Sequence, residues 1–178
     1  MKLKYIGVMS MILGLCQAAP ANANLLYDFY AGAAVGVGGQ ALLEDGDHEF
    51  HNAQSYAAAL GINIPLLRIE AEYDYLHAKT SKMQLGMANA YVKFLPGVLQ
   101  PYIGGGIGMV FDGTVADIDV KTTAAYQGML GVTINPPVLP LALDLEGRVL
   151  YIPDILDIDD HKPDVLQYEG RIKLRYIF

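Results

Sequence analysis

Beyond residue 26, apolar and polar positions alternate with a period of two, in stretches of about ten residues separated by turn-forming segments. Eight such stretches lie at 27–38, 54–64, 67–77, 84–94, 101–111, 122–134, 141–152 and 166–178. A period of two is that of a β-strand, whose successive side chains point to opposite faces. In the third stretch Arg68, Glu70, Glu72 and Asp74 alternate with Leu67, Ile69, Ala71, Tyr73 and Tyr75. In the seventh, Asp144, Glu146 and Arg148 alternate with Leu143, Leu145, Val149 and Tyr151. The eighth sets Glu169, Arg171, Lys173 and Arg175 against Tyr168, Ile172, Leu174, Tyr176 and Phe178, with Gly170 between. No stretch after residue 23 is long and apolar enough for a spanning helix.

The connections alternate in character. "NIPLL", "LPGVLQP" and "NPPVLP" are short and carry Pro65, Pro96, Pro101, Pro136, Pro137 and Pro140. Proline cannot donate to a strand ladder, so it belongs in turns and at strand starts. The other four, "GGQALLEDGDHEFHNAQ", "HAKTSK", "DGTVADIDVK" and "PDILDIDDHKPDV", are mostly longer and acidic. An even number of amphipathic strands, with tight turns at one rim and long polar loops at the other, predicts an all-β fold. The expected form is an eight-stranded antiparallel transmembrane β-barrel with up-and-down meander order.

Charge parity decides which face points inward. The charged positions sum to six acids (Glu70, Glu72, Asp74, Asp144, Glu146, Glu169) and six bases (Arg68, Lys93, Arg148, Arg171, Lys173, Arg175). A balanced set suits a closed interior, where charge is tolerated when paired. A water-soluble barrel with these charges outside has the same periodicity. Two features weigh against it. Glycines at alternate positions in "YAGAAVGVGG" and "YIGGGIGMVF" leave room for long charged chains but would weaken an aliphatic core. Aromatics also gather near strand ends: Tyr27, Phe29, Tyr56, Tyr75, Phe94, Tyr102, Phe111, Tyr151 and Phe178. Girdles at two membrane interfaces have that distribution.

The first residues carry Lys2 and Lys4, an apolar run from Tyr5 to Cys16, and Ala21-Asn22-Ala23. These are the parts of a secretory signal peptide, so 1–23 is expected to be removed by cleavage after Ala23, leaving 24–178 as one barrel domain. Leu15 before Cys16 does not fit a lipoprotein signal. Cleavage removes the single cysteine and two lysines, moving the formal charge from -7 to -7 - 2 = -9. So acidic a chain, with no basic patch interleaved with aromatics, is not expected to bind nucleic acid.

The signal segment, the eight alternating stretches, "NAYVKF" followed by "PYIGGGIGMVF", and the final "RIKLRYIF" resemble the small outer-membrane β-barrel proteins of the OmpA, OmpX and opacity-protein type. The resemblance covers the whole of 24–178. It implies a bacterial outer-membrane location, contact with outer-membrane lipid and lipopolysaccharide, and insertion by the barrel-assembly machinery. That machinery would read Ile172, Leu174, Tyr176 and Phe178 as a terminal signal. Unlike OmpA itself, the chain is expected to be a barrel alone, with no peptidoglycan-binding domain.

Eight strands enclose an interior that side chains just fill, so the charged residues are expected to form an ion-pair network and leave no wide pore. Function then falls to the loops, as a structural or surface-interaction protein of the adhesin or envelope-integrity kind, with a host or envelope ligand. The alternative is a lipid-modifying enzyme or a narrow solute channel. Loop carboxylates are Glu44, Asp45, Asp47, Glu49, Asp112, Asp117, Asp119, Asp154, Asp157, Asp159, Asp160 and Asp164. His48 and His51, with His161, are weak metal candidates, since their spacing matches no established loop. His77 with Thr80 or Ser81, oriented by Asp112 or Glu44, is the one catalytic set that can be assembled, and no motif links it. Enzymatic activity and a cofactor are therefore not expected.

Overall fold

The computed structural model describes residues 27–43, 50–79, 81–115, 118–120, 122–155 and 164–178. The expected signal segment and most of the acidic loop residues lie outside this set. Eight long strands run β1 (Asp28–Leu43), β2 (Phe50–Asn63), β3 (Leu67–Ala78), β4 (Ser81–Lys93), β5 (Leu99–Val115), β7 (Thr123–Ile134), β8 (Leu141–Ile152) and β9 (Asp164–Ile177). A two-residue strand, β6 (Ile118–Asp119), folds back on the end of β5.

All pairings are antiparallel between neighbours in sequence, β1 pairs with β9, and β4 with β5, so the sheet closes on itself. The chain is an eight-stranded transmembrane-type β-barrel with meander order. Closure leaves no unpaired edge, which the bilayer interior requires. At one rim the connections are tight. Pro65 and Leu66 form a two-residue turn closed by Ile64 N–H to Leu67 O (2.8 Å) and Leu67 N–H to Ile64 O (3.2 Å). Gly97 takes φ +129°, a conformation that side-chain-bearing residues rarely adopt, in the next turn. The last residue is tied in here too, with Phe178 N–H donating to Phe29 O at 2.8 Å.

At the opposite rim the strands outrun the sequence expectation. β1 continues to Leu43, β2 begins at Phe50 and β5 reaches Val115, where loops were expected from 39, before 54 and after 111. The polar "GGQ" and "HNAQ" segments pair across the β1–β2 ladder, Gln40 opposite His51, because a ladder beyond the lipid tolerates polar side chains on both faces. The β3–β4 connection, "HAKTSK", is not a long loop: Ala78 pairs with Ser81 across two residues. In β5 the register shifts at Phe111, so that Gln84 faces Asp112 while Leu85 faces Val110. This bulge turns both Phe111 and Asp112 outward.

The outward face is apolar. Val35, Val37, Leu60, Ile69, Ile103, Ile107, Leu130, Val149, Ile172 and Leu174 are all exposed. Among the described residues, no Asp, Glu, Lys or Arg faces outward between the two girdles. From Tyr168 to Phe178 the outward side chains of β9 cover about 25 Å of height, at ~3.3 Å per residue and a tilt of ~40°, the thickness of a lipid-facing band. Tyr27 against Phe29 (5.7 Å) and Tyr176 against Phe178 (5.3 Å) form edge-to-face pairs near the turn rim. Tyr56, Tyr73, Phe111, Tyr126, Tyr151 and Tyr168 line the outward face toward the loop rim. Tyr102 departs from the girdle expectation. It is fully buried inside the barrel, on the same inward parity as Gly104 and Gly106.

Candidate functional site: the barrel interior and the loop rim

All twelve charged residues singled out from the sequence are buried within the barrel. β3 and β8 stand diametrically opposite in the ring of eight, and most of the contacts cross the lumen between β3 and the β8–β9 pair. Asp144 receives Arg68 Nη1 at 2.9 Å and is gripped by Arg175 through Nε (2.8 Å) and Nη2 (2.9 Å). Lys173 Nζ sits between Glu70 (2.6 Å) and Glu72 (2.7 Å), and Arg171 donates to Glu72 at 3.0 Å. Arg148 spans from Asp74 (3.0 Å) to Glu169 (2.7 Å). Arg171 Nη1 also lies 3.6 Å from Glu146. Lys93, at the turn rim, donates to Asn63 Oδ1 at 2.6 Å.

Uncharged side chains complete the network, and the charge pattern alone did not mark them. Tyr30 and Tyr91 hydroxyls donate to Glu70 (2.7 and 2.9 Å), Tyr102 to Glu146 (2.9 Å), Ser55 to Glu169 (2.9 Å) and Thr133 to Asp144 (2.7 Å). The Arg68 guanidinium lies 3.8 Å from the Tyr91 ring centre and 4.7 Å from that of Tyr102, a cation held on two aromatic faces. These residues share the inward parity of their strands, which is the signal by which they are found. Glycine supplies the space: a Cβ on Gly36 would come within 2.9 Å of Arg171 Cγ and 3.0 Å of Glu169 Cδ.

Toward the loop rim the interior changes character. Leu76, Met83, Leu85, Met87, Val110, Ala125, Leu150, Ile152 and Val165 form one buried apolar cluster. Ile155 joins it after Asp154, whose φ of 49° turns the chain back over the mouth, and Val120 packs on it beyond β6. Asp154 N–H and the Tyr151 hydroxyl both donate to Asp164, at 3.1 and 2.6 Å. The barrel is thus filled by struts of charge below and an apolar plug above.

Of the candidate catalytic set, His77 and Ser81 are not brought together. His77 is exposed on the outward face of β3, whereas Ser81 is buried on the inward face of β4 with its hydroxyl on Gln40 Oε1 (2.5 Å). The two-residue turn puts them on opposite sides of the sheet. Thr80 and Glu44 lie outside the described residues, and Asp112 faces outward, accepting from Gln84 Nε2 at 2.5 Å. Of the metal candidates, His48 and His161 lie outside the described residues, and His51 sits in β2 opposite Gln40. Among the described residues, no group of three or more His, Cys, Asp or Glu is placed to hold a metal ion.

No protein-family model matches the chain, and no curated protein matches its sequence. Its fold is that of the small outer-membrane β-barrels. Neisserial surface protein A superposes with a TM-score of 0.63 and 19% identity, over 84% of this chain and 97% of that one. The outer-membrane enzyme PagL gives a TM-score of 0.57 and 10% identity, over 80% and 97%. The N-terminal β-barrel domain of Pseudomonas aeruginosa OprF gives 0.53 and 12%, over 83% and 97%.

Proposed function

We propose that this is an integral protein of the bacterial outer membrane with a structural or surface-interaction role, its loop rim facing outward from the cell. The observation that carries this reading is the inversion of the barrel: an apolar belt outside, and an interior occupied first by crossing ion pairs and then by an apolar plug. Among the described residues the interior is occupied by packed side chains, so interaction falls to the outer face and the loops. The paired interior charges act as the structural frame. Ile172, Leu174, Tyr176 and Phe178 act as the segment that the assembly machinery engages.

Two measurements test the reading. Unboiled protein from outer-membrane fractions is expected to migrate differently on a gel from boiled protein, and recovery in the soluble fraction without such a shift overturns it. The lipid A acyl pattern of cells with and without the protein is expected to be the same. PagL, an outer-membrane enzyme, has this fold; here His77 and Ser81 lie on opposite faces of the sheet, which leaves Thr80 as the hydroxyl that the sequence offers His77. An acyl pattern changed by the protein and restored by His77→Ala refutes the structural role.

A further inference from the structure

Eight lysines and arginines lie among the described residues, and six of them are buried inside the barrel. The other two, Lys79 and Lys82, are exposed and stand together on the β3–β4 hairpin at the loop rim. His77 lies directly across the ladder from Lys82 and is also exposed. This cationic edge on a strongly acidic chain sits just above the aromatic girdle, with Tyr73 and Phe111 (5.9 Å between ring centres) below it. Beside it, the β5 bulge opens a cleft of about 240 Å³ lined by Tyr75, Lys82, Gln84, Asp112 and Thr114.

We propose that this edge binds the phosphorylated sugar headgroup of a lipid in the outer leaflet. The proposal rests on the outer-membrane reading above. Its chemistry follows from the mixture of groups. Lys79, Lys82 and His77 match a phosphate, whereas Asp112 and the Gln84 amide, already joined at 2.5 Å, offer acceptors and donors suited to sugar hydroxyls. The Tyr73 hydroxyl holds Gln84 Oε1 at 2.6 Å and so fixes the amide's orientation. A bare phosphate would gain nothing from Asp112, and a zwitterionic headgroup would gain little from two lysines. Below the cleft, Gly86, Ala88, Ala90 and Gly105 form a low apolar surface on β4 and β5, on which acyl chains can lie.

The test uses the full chain folded in phosphatidylcholine nanodiscs, with the gel-mobility shift as proof of the barrel. Diphosphorylated lipid A and its dephosphorylated form are titrated in, and bound lipid is counted by native mass spectrometry. The wild type is expected to prefer the phosphorylated lipid. Lys79→Glu with Lys82→Glu is expected to weaken that preference at least ~10-fold, since each interfacial lysine attracts an anionic surface and its reversal repels it. Lys79→Arg with Lys82→Arg is expected to retain it. Equal affinity for the two lipids, no effect of the double reversal, or an equal loss from Lys121→Glu with Lys162→Glu overturns the site. A wild type that shows no mobility shift overturns the membrane reading instead, so the two failures are distinguishable.

Discussion

Replacing Asp144 by leucine isolates the energetic role of the crossing struts. Asp144 holds two arginines through contacts of 2.8–2.9 Å, and its own side chain is fully buried. Leucine fills the space but strands Arg68 and Arg175 without a carboxylate. Removing one partner of a buried ion pair costs about 3–5 kcal/mol, because the remaining charge keeps its desolvation penalty. Arg68 keeps its two tyrosine faces, and Arg175 keeps Tyr30 (4.9 Å), so the expected loss is one such penalty, ~3–5 kcal/mol, and not two. Reversible urea unfolding in lipid vesicles measures it, followed by tyrosine fluorescence and gel mobility because the chain has no tryptophan. Adding Arg68→Met and Arg175→Met removes the stranded charge and is expected to recover most of the loss. Raising salt to ~1 M is expected to leave the loss unchanged, since buried pairs are poorly screened. A loss below ~1 kcal/mol, or a triple variant as unstable as the single one, refutes the reasoning.

Four further outcomes are expected. Gly36→Val is expected to destabilise by ~1–3 kcal/mol through collision with Arg171 and Glu169, whereas Gly170→Ala, with open space around its Cβ, is expected to be tolerated in the same unfolding assay. Leu174→Arg, near the middle of the lipid-facing band, is expected to cost ~2–4 kcal/mol, and Gln54→Arg near the loop rim no more than ~1 kcal/mol. Single-channel recordings are expected to show no stable open level, and Leu85→Ser with Leu150→Ser is expected to stay closed because the ion network is a second seal. Phe178→Ala is expected to slow insertion by the assembly machinery more than it lowers final stability, measured by the time course of the mobility shift.

The barrel was legible because two faces of opposite character generate strict alternation, as in β3, β8 and β9. The positions that misled are those where that contrast fades. Leu76, Leu150 and Ile152 lie on the charged parity yet are apolar, so periodicity alone does not separate a plug from lipid-facing residues. Tyr102 resembled a girdle residue by type, although the glycines at 104 and 106 share its parity and mark it as inward. The bulge at Phe111 breaks the period itself, and with it the facing of Asp112. His77 and Ser81 are near in sequence but separated by a tight turn that reverses parity between them. The cross-lumen ion pairs of β3 with β8 and β9 follow from ring closure, which no single strand pattern contains.

The buried charges also act on structures the chain does not adopt. A strand slipped by one residue exchanges its two faces. In β9 that slip would place Glu169, Arg171, Lys173 and Arg175 against hydrocarbon, with the three bases alone costing up to ~2–4 kcal/mol each, depending on depth. The same slip in β3 or β8 would expose another charged row. A misregistered barrel would thereby be penalised in the bilayer, so the polar interior selects the register as well as framing the barrel.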